Sequence, residues 1–151
     1  MTKLTSGTWV VVADREKALI LRNLTDHANP NFEIIGKEET EVDPDRLQPA
    51  DRSGRRSDGA PNQKSAMDET RWHDLARDRF ARDLADLLYA RAHKGAFDRL
   101  VLVASPQVLG ALRNELHSEV VDRVIAEIPK TLTNHSVRKL EVLVKAEMDA
   151  A

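Results

Sequence analysis

Residues Thr8 to Ala13 read TWVVVA, and every position from Trp9 onward is apolar. A strand with one face in water alternates apolar and polar side chains, whereas one that is apolar throughout belongs where both faces are covered. Leu100 to Ala104, LVLVA, repeats the pattern. Two such runs commit the chain to a sheet with a layer packed on each side, built from the rest of its 151 residues. That length suits one domain, burying roughly 70% of its unfolded surface without staples. Aromatic residues are only 4%, so the core must rest on Val, Leu, Ile and Ala. There is no cysteine, which excludes disulfide frameworks, thiolate zinc sites and cysteine nucleophiles, and fits a reducing compartment. Lys and Arg total 23 against 25 Asp and Glu, a net −2, so any nucleic-acid role must come from a local patch. The apolar runs fall far short of a membrane span. The opening MTKLTSGTWVVVADRE has no signal-peptide pattern. The expectation is a cytoplasmic protein with no membrane partner.

After TWVVVA, the polar tetrad ADRE leads into KALILR, Lys17 to Arg22. So short a link predicts a β-hairpin, although no Asn-Gly or Asp-Gly marks it. Asn29-Pro30-Asn31 is a turn, and Phe32 to Lys37 (FEIIGK) reads as a third strand toward a sheet edge. From Glu38 the composition changes: Pro44, Pro49, Pro61, Gly54 and Gly59 punctuate a stretch with little to pack. A loop of that length, at about 39–64, is uncommon in a compact domain and when ordered is usually functional. Ser65 to Lys94 then carries Trp72, Leu75, Ala76, Phe80, Leu84, Leu87, Leu88 and Arg91 at three- and four-residue spacing. This predicts an amphipathic helix ~45 Å long, with Ser65 and Asp68 as a capping box and Gly95 as its stop. Ser105-Pro106 gives a helix cap and first turn, with the helix running to about Leu116. Ser118 is expected to cap a short helical turn. Ile125 to Ile128 reads as a strand, and Ser136 to Met148, with Val137, Leu140, Val144 and Met148 in register, as the last helix. Three meandering strands followed by helical crossovers predict one α/β domain over residues 1–151, a mixed five-stranded sheet with helices on its faces.

The stretch from Asp51 to Lys64, DRSGRRSDGAPNQK, sets Arg52, Arg55, Arg56 and Lys64 against Asp51 and Asp58, a local +2. It leads into the start of the long helix, where free N–H groups and the helix dipole favour an anion. Guanidinium forks beside free backbone donors are what phosphate binding needs. Asp68 and Glu69 in the first helical turn compete for that potential, and a solvated surface loop is the rival reading. Asn62 lies within the stretch, and His73, beside Trp72, is either a ligand contact or a polar neighbour of the core stripe. Asp14 is a turn aspartate or a metal carboxylate, but no second converging acid is evident. Ser105 lacks the flanking glycines of a hydrolase elbow, and Pro106 removes a donor, so a helix cap accounts for it better. The five histidines show no helical metal-site spacing, and no metal or cofactor is implied.

The segments SGRRSDG, SAMDETRWHD and RFARDLADLL resemble the bacterial "protein required for attachment to host cells" family. FDRLVLVASPQVLGALR and IAEIPKTLT agree, and the likeness runs through the whole chain. That family is similar to the middle domain of archaeal and eukaryotic peptide-chain release factors. The resemblance implies an RNase H-like sheet of order 3-2-1-4-5, with the long helix crossing between strands one and four. In release factors the loop before this helix carries Gly-Gly-Gln, which helps hydrolyse peptidyl-tRNA. Here the stretch reads Gly59-Ala60-Pro61-Asn62-Gln63, so Gln63 is the one candidate catalytic match, displaced by a residue. Pro61 fixes φ near −65° and lacks an N–H, where glycine would be free to adopt positive φ.

Three readings follow. The chain is a binding module that touches ribosomal RNA or tRNA through Arg52, Arg55, Arg56, Asn62, Lys64 and His73. Alternatively, it is a peptidyl-tRNA hydrolase using Gln63. The third is a protein–protein module supporting attachment to host cells, by an indirect, intracellular route.

Overall fold

The computed structural model describes residues 3–39 and 65–150, with side chains from 75 onward in the second span. Its elements are β1 (Trp9–Ala13), β2 (Lys17–Asn23), β3 (Phe32–Glu39), α1 (Ser65–His93) and β4 (Leu100–Val103). These are followed by α2 (Pro106–Glu115), α3 (Ser118–Val121), β5 (Val124–Ile128) and α4 (Val137–Ala150). The sheet order is β3-β2-β1-β4-β5, a mixed five-stranded α/β arrangement. β1 is antiparallel to β2 and parallel to β4, β2 is antiparallel to β3, and β4 is parallel to β5. The predicted topology is thus the observed one.

β1 is buried at all five positions because it is central in the sheet and covered on both faces. Trp9, Val11 and Ala13 point into a core shared with α1, α2 and α3. Val10 and Val12 point the other way, against Leu140, Val144 and Met148 of α4. LVLV in β4 divides in the same manner, Leu100 and Leu102 on one side and Val101 and Val103 on the other.

The β1–β2 hairpin closes without glycine because Asp14 replaces it. Its Oδ1 accepts the N–H groups of Glu16 and Lys17, both at 2.8 Å, while its own N–H donates to the Lys17 carbonyl. An aspartate that folds back onto the chain makes the turn itself. Asn23, at the far end of β2, is completely buried. Its Nδ2 donates to the Leu4 carbonyl at 2.7 Å, and its Oδ1 accepts the Asn31 N–H at 2.9 Å, which fixes the N-terminal segment against the Asn-Pro-Asn turn.

Three sequence expectations need correction. β3 continues two residues past Lys37, because Glu38 and Glu39 still pair with Ala18 and Lys17. The cap of α3 is His117 rather than Ser118: its Nδ1 accepts the Glu119 N–H at 3.1 Å. Among the described side chains of α1, from Leu75 onward, the buried stripe is shorter than its sequence spacing. Phe80, Ala81, Leu84, Ala85, Leu88 and Ala92 are buried, whereas Leu75 is 57% exposed and Arg91 is exposed. Five-residue strands offer ~17 Å of sheet. Phe80 to Ala92 spans ~18 Å of helix, so the sheet supports only that length. The end of α1 behaves as read: Gly95 has φ +76°, its N–H donates to the Ala92 carbonyl, and the Ala96 N–H reaches back to Arg91. That pair of bonds is a Schellman closure.

Candidate functional site

The parallel strands β1, β4 and β5 finish at one edge of the sheet, and β3 finishes there too. Ala13 pairs with Ala18 at the tip of the hairpin, and Glu39 pairs with the adjacent Lys17. In open α/β sheets the carboxyl edge of the strands, where neighbouring connections diverge, is where ligands usually sit. The chain therefore leaves β3 at this edge, and the segment carrying the candidate residues links Glu39 to the start of α1. Arg52, Arg55, Arg56, Asn62, Gln63 and Lys64 lie outside the described residues. His73 falls within α1, and its side chain lies outside them as well. The same holds for the capping pair Ser65 and Asp68.

What the described residues supply at this edge is a rigid and largely neutral frame. Asp14 is held by the two backbone bonds above and by Thr133, whose Oγ1 donates to its Oδ2 at 2.9 Å. Thr133 is 6% exposed, so this bond ties the hairpin tip to the segment before α4. Both carboxylate oxygens are occupied by structural donors, which makes Asp14 the turn residue rather than a metal ligand. Among the described residues no group of His, Asp and Glu is placed to hold a metal ion. Ser105 caps α2: its Oγ accepts the Val108 N–H at 3.3 Å, which is the non-catalytic role read from Pro106. Lys130 is ion-paired with Glu147. Along the hairpin tip and the end of β3, Arg15, Lys17 and Lys37 stand against Asp14, Glu16, Glu38 and Glu39. This border carries no positive excess of its own.

Three of the described histidines have structural side-chain partners. His27 bonds Leu4 and Asp149, His93 lies 3.4 Å from Glu119, and His117 caps α3 while stacking on Tyr89 at a 4.1 Å centroid distance. The Thr133–Asp14 bond and the Asn23 hub were not read from the sequence. The Thr133–Asp14 bond and the Asn23–Leu4 bond each join residues far apart in the chain, which local spacing does not record.

A family model described as "Bacterial archaeo-eukaryotic release factor family 12" matches residues 7–144. The chain belongs to that family. Two solved structures are also similar. One, titled "Archaeal protein", has a TM-score of 0.47 and 14% identity, and the match covers 93% of this chain and 33% of that one. The other is a crystal structure of the archaeal translation termination factor aRF1, with a TM-score of 0.44 and 11% identity, covering 95% of this chain and 39% of that one. This release factor family member thus spans between a third and two-fifths of the length of either solved structure. A comparison with curated protein sequences found no match. No helix among the described residues of this family member is long and apolar enough to cross a membrane.

Proposed function

We propose that this release factor family member is a cytoplasmic binding module, one domain over residues 1–151, that contacts ribosomal RNA or tRNA. In this reading Arg52, Arg55, Arg56 and Lys64 meet phosphates, and Asn62 and His73 make neighbouring contacts. The observation that carries the reading is membership of a release factor family over residues 7–144, a span that includes the whole basic stretch. The near-neutral frame bordering that stretch sharpens it, because the phosphate contacts then rest on four side chains. With four contacts, the logarithm of affinity falls against the logarithm of salt with a slope of about −3 to −4. The test is sedimentation with purified ribosomes through sucrose. Co-sedimentation at low salt is expected, lost as salt rises and lost in the combined Arg52→Ala, Arg55→Ala, Arg56→Ala variant. Protein that stays at the top of the gradient with ribosomes at low salt overturns the proposal.

A second reading, hydrolysis of peptidyl-tRNA, is favoured by the family's release-factor description and by Gln63. Gln63 and nearby backbone donors would place the attacking water and steady the oxyanion. Pro61 and Asn62 stand against it, since they remove the conformational freedom that paired glycines provide. Turnover of peptidyl-tRNA that falls in Gln63→Ala supports hydrolysis, and equal turnover or none in either protein removes it. The reading as a protein–protein module for attachment to host cells rests on sequence resemblance alone. A stoichiometric protein partner captured independently of RNA would support it.

A further inference from the structure

The short helix α3 sits in the crossover between α2 and β5, and its start is built around one imidazole. His117 Nδ1 accepts the Glu119 N–H at 3.1 Å, and the ring is stacked on Tyr89 of α1 at a 4.1 Å centroid distance. An Nδ1 that accepts requires the neutral ring, with its proton on Nε2. The turn behind the cap hangs on the same residues. The His117 carbonyl accepts the Val120 and Val121 N–H groups at 2.9 and 3.0 Å, and the Ser118 carbonyl accepts that of Asp122 at 2.9 Å. Val120 is completely buried in the core shared with α1, so this turn seats the crossover on α1.

Helix caps are ordinarily Ser, Thr, Asp or Asn, whose oxygens still accept at neutral and mildly acid pH. Imidazole is different, because its ordinary charge change falls between about pH 5 and pH 8. Both nitrogens of the imidazolium carry hydrogen, so no rotation of a protonated ring returns an acceptor to the Glu119 N–H. The titratable groups around the ring come from three elements. They are Tyr89 and His93 on α1, Glu115 at the end of α2, which Arg82 meets at 3.4 Å, and Glu119 on α3. The Glu119 carboxylate lies 3.4 Å from His93 and 3.7 Å from Arg123. His117 is exposed, and the face of Tyr89 attracts a cation. The stack therefore holds the ring in both charge states, whereas the cap exists in only one.

We propose that His117 makes the first turn of α3 a proton-operated latch, closed with the neutral ring and opened by mild acidification. Opening frees the Glu119 N–H and loosens the turn on α1, with the Tyr89 stack retained. The closed form binds one proton fewer, so its advantage shrinks as pH falls through the ring's titration. The latch is independent of the basic stretch and of any RNA contact.

Nuclear magnetic resonance of the whole chain, from about pH 8 to about pH 5, tests it. The His117 ring protons report its charge, and amide protection relative to an unstructured chain at the same pH reports the turn. Protection at Val121 and Asp122 is expected to fall about fivefold along the His117 titration, as loss of a cap does. His117→Asn, a cap with no proton to gain, is expected to keep that protection constant. His93→Gln is expected to retain the wild-type fall, which separates the two histidines. Wild-type protection that stays constant while the His117 ring titrates overturns the proposal, as does an equal fall in His117→Asn. A ring that keeps its charge across the range also overturns it, and the wild-type measurement decides alone if a variant fails to fold.

Discussion

His27 Nε2 lies 2.7 Å from Asp149 Oδ1, joining residues 122 positions apart. The Leu4 N–H donates to His27 Nδ1 at 3.0 Å, so in the neutral ring the proton sits on Nε2 and is donated to the carboxylate. One imidazole therefore clasps the N-terminal segment to the end of α4. The His27 bond, reinforced by Lys145, holds the Asp149 carboxyl below its ordinary value of 3.8.

A depressed carboxyl pKa stabilises the fold above the unfolded value, and that contribution is lost as pH falls through the folded value. Asp149→Asn keeps an acceptor for His27 and removes the charge. Wild type is expected to unfold at higher urea than the variant near neutral pH, with a constant gap until pH approaches 3.8. The gap then closes on further acidification. Urea midpoints measured across that range check the direction.

Leu88 is completely buried under the sheet, whereas Leu75, on the same helix, is 57% exposed. Leu88→Ala is expected to cost about 2–5 kcal/mol, through lost transfer energy and the cavity left behind. Leu75→Ala is expected to stay within about 0.5 kcal/mol of wild type, as exposed substitutions do. Denaturant unfolding of the two variants side by side measures the contrast.

The Thr133–Asp14 bond predicts a modest, specific loss. Thr133→Val preserves shape in a 6% exposed site and removes the hydroxyl donor. Asp14 keeps its two backbone donors, so the expected cost is about 1–2 kcal/mol. Thermal unfolding, with faster amide exchange at Lys17 as the local readout, tests it.

Gly95 closes α1 at φ +76° with open space around the position where a Cβ would stand. Gly95→Ala therefore meets no clash, and its effect isolates backbone strain, about 1–2 kcal/mol. A fall in the thermal midpoint with unchanged helical signal is the expected result.

The sequence alone determined the layer architecture. TWVVVA and LVLVA are apolar at every position, and only a sheet covered on both faces satisfies them, which the Leu140–Val144–Met148 face of α4 and the Leu84–Leu88 face of α1 confirm. It also determined local stops and caps such as Gly95 and Ser105, because backbone chemistry acts within a few residues. The candidate basic stretch was equally legible as charge, since guanidinium groups declare themselves without a fold. Tertiary structure alone decided where the α1 stripe stops, because strand length rather than helix periodicity limits what the sheet can cover. It alone joined Asp14 to Thr133 and His27 to Asp149, and turned Ile35 inward to open a cavity beside Trp9. Those relationships depend on which distant segments become neighbours and on a one-residue shift in strand register, and local sequence spacing records neither.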